Sequence, residues 1–489
     1  MNSADSTLQG KSKDSPKGPV PEGGTRVPGT RLVWAGAAAF VAVVASWVVF
    51  LVVSGKAGAL DMVDLTVYRD GGLIVRHVTP YYNGHKYDPL YDWPGYSSLK
   101  LQFTYTPFAA IVFALVSFIP WTPLEALSVI VNIGCLLAAL WFTCYGLGYR
   151  DRRVRLGVVL IAAAVVFWLQ PVVRTIYLGQ INLILMAAIM WDLTQPGTTK
   201  SGKYRWWKGV ATGIAAGIKL TPLIFVPYLL VTRKWREAAG CVGGFLATVV
   251  VGFAVLPHDS SKWWLHGMVL SDGSRAGNIA WAGNQSLRGL VSRLTGSIPA
   301  GQTPWVIASV LAVIVGITAA YLLDRAGYRV PAILATALTG LLVSPISWDH
   351  HWVWIALAIV TAAHYAIAAW RSGARSAARW LWLAAAGMIF TYAAWPDALF
   401  THARNLGKFS LGLLWLQKNT SPPVFLKNGD QPWHAEYHWH GFQLIWGNAY
   451  ILGGMALLLF LLVIGFRVRR QTPADPLVPA ADPVPASVP

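Results

Sequence analysis

Two carboxylates, Asp61 and Asp64, stand three residues apart in the stretch A-L-D-M-V-D-L-T-V-Y-R-D-G-G, residues 59–72. On a helix that spacing puts both on one face. The stretch directly follows the first apolar run, residues 32–53. It therefore sits at a membrane surface, neither in bulk water nor in hydrocarbon. A carboxylate held there suits a general base that takes a proton from a substrate arriving through lipid. Asp64 is the candidate base. Asp61 reads as a helix cap or as a partner that supports Asp64 from behind. The plainer reading of D-L-T-V-Y, Asp64–Tyr68, is a capped interfacial helix.

Other polar groups stand where apolar sequence surrounds them. V-V-R-T-I-Y-L-G-Q-I-N-L, residues 172–183, sets Arg174, Gln180 and Asn182 at the head of an apolar run. Such residues are costly in a membrane and mark a pathway or pair with one another. G-I-K-L-T-P, residues 217–222, puts Lys219 inside an apolar run beside a helix-breaking proline. Lys219 either snorkels to the interface or meets a lipid phosphate. G-N-Q-S-L-R-G, residues 283–289, offers Asn284, Gln285 and Arg288 for hydroxyl and phosphate recognition, as any polar loop does. S-P-I-S-W-D-H-H-W, residues 344–352, places Trp348, Asp349, His350 and His351 between two apolar runs. It reads either as an aromatic belt with interfacial histidines or as part of a site. Three adjacent residues do not easily face one metal ion. H-A-E-Y-H-W-H, residues 434–440, is not H-E-x-x-H and reads as an incidental His-rich loop. F-T-Y-T-P-F, residues 103–108, opens a run with an ordinary helix-start proline.

The elements that must position these groups are membrane helices. Of 489 residues, 55% are hydrophobic and only 12% charged, with mean hydropathy +0.48. A soluble chain carries about 25% charged residues. Apolar runs fall at 32–53, 103–120, 123–147, 155–170, 176–194, 209–231, 236–256, 304–323, 330–347, 352–370, 380–396 and 447–466. The fold class is all-α, a polytopic transmembrane helical bundle of about 10–12 spans. Counting each run once gives twelve spans with both termini cytoplasmic. The ten-crossing alternative makes 103–147 one net crossing and 209–231 a re-entrant pair broken at Pro222, and it keeps every basic loop inside. Both put the loops 54–102, 257–303 and 397–446, and the 348–351 junction, on one outer face. Residues 1–30 and 467–489 read as disordered cytoplasmic tails flanking one membrane domain, 31–466. The net charge of +18 follows topology, with Lys and Arg held inside, rather than nucleic-acid binding. The three cysteines make neither a disulfide framework nor a zinc motif. G-x-G-x-x-G, P-loop and G-x-S-x-G patterns are absent, and with them a soluble nucleotide-binding domain.

In order, D-L-T-V-Y, F-T-Y-T-P-F, G-Q-I-N, G-I-K-L-T-P, G-N-Q-S-L-R-G and S-P-I-S-W-D-H-H resemble glycosyltransferase family 87 over about 32–396. These are actinobacterial polyprenol-phosphate-mannose-dependent α-mannosyltransferases with the C-type glycosyltransferase architecture. The resemblance implies a catalytic aspartate at Asp64 and a histidine at His350 or His351. It implies a polyprenyl-phosphate mannose donor, a cell-envelope glycolipid acceptor of phosphatidylinositol mannoside or lipomannan type, and inversion. A phosphate leaving group departs without a general acid, so the chemistry needs one base and cations near the phosphate. Lys219, Arg174 and Arg288 are candidates for the second role. Tyr68, Gln180, Asn182, Asn284, Gln285, Trp348, Asp349 and Asp61 are the candidate substrate-facing groups. No metal or other cofactor is expected beyond the lipid-linked donor. Two rivals stay open: a C-type transferase using another lipid-linked sugar such as arabinose, and a transporter of lipid-linked saccharides. A transporter is expected to show matched internal repeats, and none is visible.

Overall fold

The computed structural model describes residues 29–53, 60–77, 90–91, 101–199, 201–268, 278–394, 413–415 and 434–471. Among them the chain is helical throughout, with isolated bridges in place of strands. The helices are α1 (Gly29–Val53), α2 (Val63–Val75), α3 (Pro107–Val116), α4 (Trp121–Gly146), α5 (Arg152–Val166) and α6 (Gln170–Leu178). Then come α7 (Asn182–Thr194), α8 (Val210–Ile218), α9 (Phe225–Val231), α10 (Trp235–Val255), α11 (Pro257–Trp264) and α12 (Leu287–Thr295). The last are α13 (Ile298–Arg325), α14 (Arg329–Val343), α15 (Trp354–Arg371), α16 (Arg375–Tyr392), α17 (Phe442–Trp446) and α18 (Ala449–Gln471).

Six helices among the described residues are long and apolar enough to cross a membrane: α1, α4, α10, α13, α15 and α18. The pair α6–α7 would make a seventh, but it bends by 115°. Of the twelve expected runs, 155–170, 330–347 and 380–396 form α5, α14 and α16, of 15, 15 and 18 residues, which fall short of that length or apolarity, and two others are altered for local reasons. The run 103–120 yields only α3, because Thr106 caps its start, accepting from Ala109 N at 3.2 Å, and Ser117 ends it. Ten residues reach about 15 Å, half the bilayer core. The run 209–231 is broken at Lys219, whose backbone is extended (φ −139°, ψ 120°), and again at the 3₁₀ turn Thr221–Ile224 that Pro222 opens. This is the break that the re-entrant reading requires. The polar stretch 257–303 is partly helical, carrying α11, α12 and the start of α13. At the chain ends α1 begins at Gly29, and α18 runs on through Arg467–Arg470 where a tail was expected. The expected tails otherwise lie outside the described residues.

Helix pairs pack through small residues, as membrane helices do when hydrophobicity alone gives no drive. Gly209, just before α8, and Gly213 and Gly217 within it stand four apart against α10. A Cβ at Gly213 would lie 2.1 Å from Cys241 O, and one at Gly217 would lie 2.1 Å from Thr248 Oγ1. The backbones therefore meet directly, and the end of α8, where Lys219 follows, is fixed in place. Thr106 also donates to Gly217 O, which ties the head of α3 to that same end. The other main packings are α1 on α5, α4 on α7, α13 on α14 and α18, and α15 on α16.

Candidate active site

Asp64 sits in the first turn of α2. The residue that begins the helix is Met62, in the left-handed region at φ 44°, with no side-chain cap. Neither Asp61 nor Asp64 caps the helix, and Asp61 precedes it. A non-glycine residue in that region costs on the order of 1–3 kcal/mol. The surroundings hold it there: Met62 is fully buried and its N–H donates to Tyr177 O at 3.1 Å. Gly179, at φ 66°, leaves no room for a side chain beside it, since a Cβ would stand 2.9 Å from Met62 Sδ. Thus the α6–α7 elbow fixes the start of α2. Asp61 is exposed and Asp64 half-buried.

Burial lifts the Asp64 carboxyl above its ordinary pKa. His350, Lys219 and Arg174 oppose that shift, and the Asp61 charge adds to it. Four separate pieces of chain thus converge on one carboxylate: α2, the α6–α7 elbow, the end of α8 and the 344–353 junction.

The junction itself is built by the G-N-Q-S-L-R-G stretch. Gln285 N–H donates to Ser347 O at 2.7 Å, Asp349 N–H to Gly283 O at 2.9 Å, and Ser347 N–H to Asn284 Oδ1 at 3.0 Å. Asn284 Nδ2 donates to Ile279 O, and Gln285 Nε2 donates to Ala282 O and Gly447 O. Both side chains are fully buried. They hold the junction in shape and present no group to a substrate. Arg288 is buried beneath the Trp305 ring, 4.9 Å from its centroid, and is not among the charges that act on Asp64. Arg293, which sequence reasoning passed over, pins this region to the last span through Asn448 Oδ1, at 2.9 and 2.6 Å, and through the carbonyls of Ala280, Trp281 and Asn284.

Within the junction the two histidines part company. Their rings stand 4.8 Å apart at 89°. His350 Nδ1 pairs with Asp349 Oδ1 at 3.2 Å, and its backbone carbonyl accepts from Thr175 Oγ1 (2.9 Å) and Asn182 Nδ2 (3.0 Å). Burial alone would raise the Asp349 carboxyl, but Arg174 at 3.3 Å, His350 and Gln170 outweigh it and hold it below the ordinary range. His351 turns the other way, to Lys219 Nζ at 3.0 Å. Burial, then Lys219 and His350, push His351 well below the usual imidazole range, so its ring is neutral.

Lys219 Nζ also donates to Asn182 Oδ1 at 3.0 Å. Gln180 Oε1 accepts from Tyr68 OH, from Tyr105 OH at 3.1 Å and from Ile181 N–H at 2.9 Å. Tyr68 is buried and stacked on Phe113. Gln180 and Tyr68 therefore link α2 to the elbow. Trp348 packs edge-on against Trp281 and donates its N–H to His351 Nδ1 at 3.2 Å.

Lys219 and His351 stand at one end of a groove whose empty space, open solvent included, is about 540 Å³. Its walls are mostly apolar: Leu185, Met186 and Ile189 of α7, Ile224, Phe225 of α9, and Ala337 and Leu341 of α14. A groove with an apolar body and a polar head beside a carboxylate suits an amphiphile with an anionic head group.

These features define a multi-span membrane protein with a carboxylate, a lysine and two histidines gathered beside a mostly apolar groove. The glycosyltransferase family 87 model matches residues 103–345. The chain belongs to this family of glycosyltransferases. It is 36% identical over 297 residues to a polyprenol-phosphate-mannose-dependent α-(1-2)-phosphatidylinositol pentamannoside mannosyltransferase of Mycobacterium tuberculosis, covering 60% of this chain and 64% of the relative. A Mycolicibacterium smegmatis protein of the same description is 33% identical over 326 residues, covering 66% and 74%. A polyprenol-phosphate-mannose-dependent α-(1-2)-phosphatidylinositol mannoside mannosyltransferase of M. tuberculosis is 31% identical over 312 residues, covering 61% and 69%. The chain thus spans just under two thirds of the first relative's length. No solved structure matches it.

Proposed function

We propose that the chain moves a mannosyl residue from polyprenyl-phosphate mannose to a glycolipid acceptor of the phosphatidylinositol mannoside type, with inversion. The observation that carries this is the pair at the head of the groove. The Trp348 N–H can only donate, so His351 Nδ1 holds a lone pair and the neutral ring carries its proton on Nε2. That hydrogen faces the Lys219 ammonium at 3.0 Å. Both can donate, and an anionic oxygen that settles against the pair, drawing the two nitrogens apart, accepts from both. The donor phosphate takes that place and its isoprenoid tail follows the apolar walls. The relatives named above act on donors and acceptors of these classes, which supports the same reading here.

In the reaction the acceptor hydroxyl attacks the anomeric carbon from the face opposite the phosphate. Asp64 takes the hydroxyl proton. The bond from the anomeric carbon to the phosphate oxygen breaks, and its electron pair leaves on the phosphate. One displacement inverts the centre. Lys219 and His351 meet the charge that develops on the leaving group, so the scheme calls for no metal.

The experiment supplies the purified protein in nanodiscs with an acceptor phosphatidylinositol mannoside and either donor. Product is expected from polyprenyl-phosphate mannose, none from GDP-mannose, and at an undiminished rate in chelator. Turnover of GDP-mannose by the pure protein would overturn the donor assignment, and activity lost in chelator and restored by a divalent ion would overturn the metal-free scheme.

The site belongs on the outer face, with both termini cytoplasmic. The motivation is the run of basic residues at the ends of later helices, Asp324–Arg329 and Arg371–Arg379, which the charge bias keeps inside. His440 is exposed beside α17. His440→Cys in a background without accessible cysteine is expected to react with an impermeant thiol reagent in intact cells. Labelling only after lysis would reverse the orientation.

A further inference from the structure

Behind the Asp349–His350 pair runs a buried chain of hydrogen bonds that the reaction scheme does not use. Tyr450, in the first turn of α18, donates its hydroxyl to Gln170 Oε1 at 2.9 Å. Gln170, the first residue of α6, donates Nε2 to Asp349 Oδ2 at 2.6 Å. Asp349 Oδ1 in turn meets His350 Nδ1 at 3.2 Å and Arg174 Nε at 3.3 Å. All of Gln170, Tyr450 and Asp349 are 1% exposed or less, so each hydrogen bond lacks a water substitute. Tyr450 also lies outside residues 103–345, the part of the chain matched by the family model.

The orientation of Gln170 is fixed from both sides. A carboxylate accepts only, so the amide nitrogen must face Asp349, which leaves Oε1 toward α18. There the Tyr450 hydroxyl is its donor. Tyr450 is itself held in place by its carbonyl, which accepts from Tyr392 OH at 2.8 Å, and by its ring against Tyr392 at 4.2 Å. Without the Tyr450 hydroxyl, Gln170 Oε1 is a buried acceptor with no donor, and the amide has no reason to keep Nε2 on Asp349.

We propose that Tyr450 and Gln170 are positioning residues for catalysis, and that the last span thereby sets the Asp349 carboxylate and His350 ring against Asp64. This rests on Asp64 being the base. The sign of the effect follows from the chain. Losing a donor favours protonated Asp349, and a neutral Asp349 no longer holds the His350 ring, 3.2 Å away, in place against Asp64. Asp64 then loses the largest of the influences that keep it ionised. Its other charged or titratable neighbours are Lys219, Arg174 and Asp61, with Tyr68 and Tyr105 close by, and of these Arg174 also meets Asp349, at 3.3 Å. A base that protonates at higher pH stops working at higher pH, so the acid limb of the rate profile moves up.

The test is Tyr450→Phe in the full chain in nanodiscs, with kcat and donor KM measured from about pH 5 to 9. We expect kcat at pH 7 to fall about tenfold, the scale of one lost hydrogen bond to a charged group. Donor KM should stay within about twofold and the acid limb should rise by roughly one pH unit. Gln170→Met removes the same link from the other side and should give the same displacement, with the double variant no worse than either single. It also replaces Tyr450→Phe should that variant not fold. Tyr392→Phe deletes a neighbouring buried hydroxyl that bonds the Tyr450 carbonyl and does not reach Gln170, and should displace the profile less than Tyr450→Phe does. Unchanged profiles in Tyr450→Phe and Gln170→Met, or an equal displacement in Tyr392→Phe, overturn the proposal. The ring chemical shifts of His350, read by NMR with ring-labelled histidine and assigned with His350→Gln, should also change in Tyr450→Phe. That readout needs no donor, so it separates failure here from a wrong donor assignment.

Discussion

Asp64→Asn is expected to lower turnover at least about a hundredfold, the contribution of a general base, while donor binding survives. The change keeps the size of the side chain and removes only its basicity. Asp61→Asn should be much milder, because Asp61 precedes α2 and is exposed, whereas Asp64 is where His350, Lys219 and Arg174 converge. The pH dependence has a definite sign. Burial raises the Asp64 carboxyl above its ordinary value, so the wild-type rate should fall on acidification at a pH above that of a free aspartate. Stability has the opposite sign. A carboxyl whose folded pKa is raised is destabilising wherever it is ionised, and that penalty vanishes below its unfolded pKa. Asp64→Asn should therefore melt higher than the wild type near neutral pH and show no such advantage in acid. Dead turnover with a raised melting point marks a functional base. An inactive variant that melts lower would instead mark a structural residue, and an active Asp64→Asn beside a dead Asp61→Asn would reverse the assignment.

How far the sequence carried the site depends on the range of each signal. Asp64 and the W-D-H-H junction stood out because charges beside apolar runs are conspicuous by themselves. The helices were legible for the same reason, since an apolar run is a local property. Breaks inside runs were partly legible: Pro222 announces one, but Gly179, which turns α6 into α7 by 115°, looks like any glycine in a membrane helix. The roles of Asn284 and Gln285 were not legible. A polar loop that binds a ligand and one that binds its own backbone have the same composition, and only the bonds to Ser347 and Gly447 tell them apart. Gln170 closes an apolar run and reads as a helix end, and its partner Tyr450 is 280 residues away. Pairings of that length leave no mark on either neighbourhood. The lone signal was Gln170 itself, a polar side chain among apolar ones.

Lys219→Met is expected to cut kcat by about a hundredfold or more and to weaken donor binding, on the scale of removing one group that stabilises transition-state charge. The groove head offers few alternatives. His351 is neutral, as its burial requires, and Arg174 is committed to Asp349 at 3.3 Å. Burial pulls the Lys219 amine down to about 8 against the opposing Asp64 charge, so near neutral pH it is still mostly the ammonium form in the groove lining. Methionine keeps the length and the apolar stem, so loss of packing is small. Because the charge on the phosphate grows as the sugar departs, the loss should fall more on kcat than on KM. Lys219→Arg should recover part of the rate but not all, since a planar guanidinium cannot sit as a compact ammonium does between Asn182 Oδ1 and His351 Nε2, each 3.0 Å away. A donor analogue bearing a neutral phosphotriester should bind wild type and Lys219→Met about equally. A Lys219→Met variant within a few fold of wild type, with the analogue still discriminating, would move the phosphate away from the head of the groove, and the orientation of the donor toward Asp64 would have to be redrawn.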